Sequence, residues 1–210
     1  MLHCMSTPER IIVGITGASG APYAARAIEL MADAGLEVHL VVSRLGRRLI
    51  LDELGQRSVD PDRLSGGRGD RIVVHSNGDV GATIASGSFQ TKGMLVVPCS
   101  GNTLGAIASG VTNNLVQRAA AVVLKERRRL VLAHRESPLS MIDLENMQRV
   151  TAAGGIIAPL SPGFYLGPKR IEDLVDFVVG RLLDLFEVPH ELDVRWDESR
   201  VGALEPDASG

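Results

Sequence analysis

A chain of 210 residues, 45% hydrophobic and 22% charged, can bury a sizeable core in one compact domain, and with only 3% aromatic residues that core is aliphatic. A formal charge of -3 gives no basic field for nucleic acid, and no apolar stretch approaches the roughly 20 residues that span a bilayer. Cys4 and Cys99 form no CxxC or zinc-type spacing, the five histidines are scattered singly, and the first ten residues lack a signal-peptide core, so no metal centre and a reduced, cytoplasmic setting are expected.

In chain order, residues 10–15 are a short apolar run ahead of a glycine-rich turn and predict a buried strand. Residues 21–34 place Ala24, Ala27, Ile28 and Met31 on one helical face and end at Gly35. Glu37 to Val42 predict a second strand closed by Ser43, and residues 44–54 a basic helix. Residues 55–81, rich in glycine and charge and carrying Pro61, read as a surface loop around a short strand at Arg71–Val74. Strands follow at Met94–Pro98, Leu130–His134 and Gly155–Pro159, interleaved with helices near 103–109, 113–127 and 140–153. An amphipathic helix at 170–186 closes the pattern. The boundaries are a tail at 1–9, one domain at 10–196, and a polar, acidic tail at 197–210 expected to be disordered. Such alternation predicts a single-domain, doubly wound α/β fold, Rossmann- or flavodoxin-like, with a mostly parallel sheet.

Ligands of open α/β sheets bind beyond the C-terminal strand ends. The predicted strands are followed there by Gly17-Ala18-Ser19-Gly20, by Ser43, by Ser100-Gly101-Asn102-Thr103, by Arg135-Glu136, and by Ser161 to Tyr165. Glycines at 14, 17 and 20 do not meet the GxGxxG dinucleotide fingerprint, yet they let backbone amides approach a phosphate at a helix N-terminus. Ser43 stands where an NAD site would carry an acidic ribose clamp, so a mononucleotide suits the loops better. A tight structural turn at 17–20, and helix capping by Ser100 or by the ambiguous Ser86 and Ser88, remain the plain alternatives.

The run Lys125-Glu126-Arg127-Arg128-Arg129 fits a solvated helix end, with Arg118 two turns earlier. Arginine beside a buried strand, as at Arg135, suits a phosphate dianion. His134 reads as a packed strand residue. Tyr165 and Lys169 make a YxxxK pattern of the short-chain dehydrogenase type, but Gly167 and Pro168 intervene, and proline inside a helix costs about 3 kcal/mol.

Assembled, GITGASGAPYA at 14–24, ASGSFQTKGMLVVPCSGNTLGAIASG at 85–110, NNLVQRAAAVVLKERRRLVLAHRESP at 113–138, LENMQRV at 144–150, APLSPGFYLGP at 158–168 and EDLVDFVVGRLLD at 172–184 strongly resemble the flavin prenyltransferase family, historically described as aromatic-acid decarboxylase subunits. The resemblance implies that Gly17, Ala18, Ser19, Ser43, Ser100, Gly101, Asn102, Thr103 and Arg135 contact FMN. It implies that Lys125, Arg135, Glu136, Tyr165 and Arg181 surround the phosphate of dimethylallyl monophosphate, with contributions from neighbouring subunits. Glu53, Arg118 and Trp196 fall on positions at or near the family's active site. The family is metal-independent and assembles as a homododecamer. Arg129 in place of a common proline, and Arg44 in place of a usual lysine, are the departures.

The implied chemistry agrees with these residue types. Allylic C–O cleavage leaves phosphate, which Lys and Arg stabilise where charge develops. The dimethylallyl group is captured by N5 of reduced FMN and closes a ring at C6, making FMN a substrate whose product serves a partner decarboxylase. Ser19 is expected near N5, with Glu53 or Glu136 available for proton transfer. A flavin-dependent cysteine decarboxylase and a non-catalytic FMN carrier are the competing readings.

Overall fold

A computed structural model describes residues 9–192 and 194. Its strands are β1 (Arg10–Ile15), β2 (Glu37–Val42), β3 (Ile72–His75), β4 (Gly93–Cys99), β5 (Arg129–His134) and β6 (Ile156–Ile157). All pair in parallel, in the order β3-β2-β1-β4-β5-β6. Strands buried on both faces need apolar side chains in both directions, and Ile11 to Ile15 and Met94 to Cys99 are buried without a break.

One face carries α1 (Ala21–Asp33) and α7 (Ile171–Asp184), where Ala24, Ile28 and Met31 meet Val179, Leu183 and the strand residues Val13, Leu40 and Val131. The other face carries α4 (Gly101–Ala108), α5 (Leu115–Lys125) and α6 (Met141–Ala152) over Ile12, Val96, Leu130 and Leu132. The predicted doubly wound fold is therefore present, with a sheet that is parallel throughout. Burying an aliphatic side chain such as Ile28 or Leu95 contributes about 1.5–3 kcal/mol.

Two segments differ from expectation. The stretch after α2 (Arg44–Leu54) is not all loop: α3 (Pro61–Leu64) forms one turn, because the Asp60 carboxylate accepts from the Asp62 and Arg63 amides at 3.1 and 3.3 Å and Pro61 opens the helix. The last strand pairs over only two residues. Beyond β6 the contact with β5 continues only as single bonds, Ala158 N–H to the Leu132 carbonyl at 2.9 Å and Leu160 N–H to the His134 carbonyl at 3.0 Å, with Pro159 between them on the outward side of the edge strand. No helix among the described residues is long and apolar enough to cross a membrane.

Candidate functional site at the β1/β4 switch point

The strand order reverses between β1 and β4, which opens a crevice at their C-terminal ends. Thr16, the buried residue just after β1, latches that crevice together. Its hydroxyl donates to the Pro98 carbonyl at 2.8 Å and accepts the Ser100 N–H at 2.9 Å. A Cβ on Gly17 would lie 2.7 Å from the Leu45 Cβ, and one on Gly46 would lie 2.5 Å from the Ile15 carbonyl oxygen. Glycine at both positions is thus a packing requirement. Ala18 is half-buried and Ser19 stands exposed at the lip.

Ser43 and Ser100 are both N-caps. The Ser43 hydroxyl accepts from the Gly46 N–H at 3.0 Å. The Ser100 hydroxyl accepts from the Thr103 N–H at 3.4 Å and donates to the Thr103 hydroxyl at 3.1 Å. The capping alternative therefore holds locally, and it opens the partly positive N-termini of α2 and α4 on the C-terminal edge, with Gly101 and Asn102 at its rim.

The N-terminus of α1 is different. Its N-cap, Gly20, offers no side chain, and Glu53 reaches over from α2 instead. One carboxylate oxygen of Glu53 accepts from the Gly20 and Ala21 amides at 3.0 and 2.7 Å. The amides expected to greet a phosphate already hold an anion, and a second one there would meet like charge. Arg135, exposed beyond β5, lies close enough to Tyr23 in the first turn of α1 for its charge to act on the phenol. Burial raises the Tyr23 pKa and Arg135 offsets part of that rise. Neither the Thr16 latch nor Tyr23 was anticipated; each is a common residue type whose part depends on tertiary neighbours.

A family model described as "Flavoprotein" matches residues 2–183. The flavin prenyltransferase UbiX of Halalkalibacterium halodurans is 46% identical over 192 residues, covering 90% of this chain and 93% of that protein. This chain belongs to the flavin prenyltransferase family. Among solved structures, AnUbiX in complex with FMN and dimethylallyl pyrophosphate is 43% identical, with a TM-score of 0.84 over 91% of this chain and 98% of its own. A dodecameric FMN-dependent UbiX-like decarboxylase from Escherichia coli O157:H7 is 42% identical, with a TM-score of 0.80 over 90% and 99%. The cypemycin decarboxylase, at 16% identity and a TM-score of 0.56, shares the fold alone.

The remaining residues expected of a flavin prenyltransferase are dispersed over the subunit. Glu136 is exposed next to Arg135, and its carboxylate accepts from the Ser137 N–H at 3.0 Å. Lys125 ends α5, four residues before β5 begins, whereas Arg135 follows the end of β5, so the length of that strand, about 20 Å, separates them. At this far edge Lys125 pairs with Glu126 at 3.0 Å, and Ser86 and Ser88, hydroxyls 2.9 Å apart, flank Gly87, whose carbonyl accepts from Arg128 at 2.7 Å. Tyr165 sets its ring edge-on to Phe177, with centroids 5.4 Å apart. One helical turn on, Arg181 lines a groove of about 290 Å³ beside β6 and pairs with Asp184 at 3.5 Å. Arg118 is exposed near the start of α5, and Trp196 lies outside the described residues.

The histidines are not all isolated in space. Pairing of β2 with β3 brings the His39 Nδ1 to 2.9 Å from the His75 Nε2, while the His39 Nε2 meets Glu37, itself paired with Arg10. Among the described residues, no group of three or more His, Cys, Asp or Glu side chains is placed to hold a metal ion. Cys99 is fully buried, which pushes its thiol pKa up to about 12 and leaves it inert.

Proposed function

We propose that this chain transfers a dimethylallyl group from a dimethylallyl phosphate to reduced FMN, bonding first at N5 and then at C6, and supplies the prenylated flavin to a partner decarboxylase. The observation that carries this reading is the convergence of Gly17 to Ser19, Ser43, Ser100 to Thr103 and Arg135 on one strand edge, in a chain 46% identical to a flavin prenyltransferase. The residue roles are part of the proposal. The open N-termini of α2 and α4, with Arg135, would bind the flavin and its phosphate, since Glu53 already fills the N-terminus of α1. Ser19 would face N5. Glu136 would hold or move a proton beside the reacting atoms.

The donor's C–O bond breaks and phosphate leaves, so cations must stand at the leaving oxygen. Lys125 and Arg181 would provide this from other copies of the chain, with the Tyr165 hydroxyl as a neutral donor beside them and Arg118 and Trp196 nearby. Their dispersal over one subunit supports a site completed at subunit interfaces, in a homo-oligomer of the dodecameric kind that the E. coli relative forms. Exposed Met141 and Ile142, 71% and 70% accessible, and Phe164 and Ile171, at 70% and 74%, supply apolar surface for that assembly. The reading requires no metal and fits a cytoplasmic protein.

Anaerobic incubation with reduced FMN and dimethylallyl monophosphate should give a flavin heavier by one prenyl unit in mass spectrometry. Flavin-loaded protein that leaves the flavin mass unchanged, with either the monophosphate or the diphosphate, refutes the assignment.

A further inference from the structure

The peptide unit joining Cys99 to Ser100 is held at both ends by side chains from the two strands that flank β4. Its N–H, that of Ser100, donates to Thr16 at 2.9 Å from the β1 side. Its carbonyl, that of Cys99, lies 2.9 Å from the His134 Nδ1 on the β5 side, and also accepts the Arg135 N–H at 3.2 Å. Because a peptide unit is planar, two such anchors fix its orientation. They act where the β4 ladder has just shifted register, between Val96 and Cys99, and where pairing with β5 supplies only the one bond from Arg135.

His134 itself is 3% exposed and shares a face of β5 with Leu130 and Leu132. A carbonyl can only accept, so the Nδ1 carries a proton, and in the Nδ1–H tautomer the Nε2 is an acceptor. That Nε2 is buried with no hydrogen-bond partner. An unpaired buried acceptor is costly, and a leucine of similar size would remove the cost. The imidazole's other nitrogen must therefore perform a service that an apolar side chain cannot.

We propose that His134 is a positioning residue for the flavin loop. Through the Cys99 carbonyl it sets the direction in which Ser100 opens α4, and it ties that loop to Arg135, the residue that follows its own strand. This inference rests on the flavin-binding reading of the same edge.

The test compares FMN titrations, by flavin fluorescence and visible circular dichroism, across wild type, His134→Asn, His134→Gln and His134→Leu. The asparagine amide nitrogen stands where Nδ1 does, whereas glutamine carries its nitrogen one bond further out. Asn should keep wild-type affinity and the wild-type dichroism of the bound flavin. Gln and Leu should weaken binding about three- to tenfold, the loss of one net hydrogen bond, and alter the dichroism. Should the Leu protein not fold, the ordering of Asn over Gln decides the matter. Wild-type protein that binds no FMN overturns the flavin reading and this one together. Tight wild-type binding that Asn and Gln share equally, or weaken equally, overturns the positioning role alone.

Discussion

Removing the Glu53 carboxylate should uncap α1 from a distance of 32 residues. Its oxygen accepts two backbone amides, at 3.0 and 2.7 Å, from a helix whose own N-cap is a glycine. Loss of a side-chain cap costs about 0.5–2 kcal/mol, and the charge–dipole part alone about 0.3–1 kcal/mol. With two amides orphaned, Glu53→Ala should fall near the upper limit, about 2 kcal/mol. Glu53→Gln keeps an acceptor oxygen and should lose only the charge part, about 0.5 kcal/mol. Urea denaturation at fixed protomer concentration measures both, as a midpoint shift at unchanged slope. Equal losses in the two variants, or an Ala variant as stable as wild type, refute the cap. Turnover then separates the roles: a purely capping carboxylate leaves Glu53→Gln active, whereas one that also transfers a proton does not.

Thr16→Val keeps the shape of the latch and the backbone bond from the residue 16 N–H to the Pro98 carbonyl at 3.2 Å, but orphans the part-buried Ser100 N–H, and should cost about 1–2 kcal/mol together with flavin affinity, read by denaturation and FMN titration. Lys125→Ala and Arg135→Ala should each abolish turnover while leaving folding intact. Mixed oligomers of the two should regain roughly a quarter of wild-type activity if each site draws Lys125 and Arg135 from different copies, and none if both come from one chain. The His75 pKa is lowered from 6.5, first by burial and then by His39, so the unfolded chain takes up that proton first. Its contribution is complete above pH 6.5 and lost as pH falls through the lowered folded value; His75→Gln should flatten the stability profile in that window.

The order of strands and helices was legible because parallel strands buried on both faces leave long apolar runs, and the turns between them are marked by glycine, serine and proline. A single turn such as α3 has no periodicity in sequence, and its only local signal is the Asp60-Pro61 pair. The apolar run through Pro159 overstates β6, since it is apolar whether or not it pairs. At the site, the loops were legible as strand ends, but the partners were not. That Glu53 folds back onto α1, that Thr16 bridges to Ser100, and that His39 stacks on His75 follow from strand order, which local sequence does not encode. Lys125 and Arg135 are ten residues apart in sequence yet face opposite edges of the sheet, a separation set by the single strand between them.

The close approach at Gly17 and Gly46 has a consequence for binding entropy. With no room for even a methyl group on either glycine, the turn after β1 and the first turn of α2 touch through backbone and through Leu45. Neither can shift without carrying the other, and Thr16 fastens both to the loop after β4. Three of the loops around the crevice thus form one rigid floor before any ligand arrives. Their ordering is completed during folding, so a ligand entering the crevice has little chain left to immobilise, and the main entropic cost of binding is the ligand's own lost freedom.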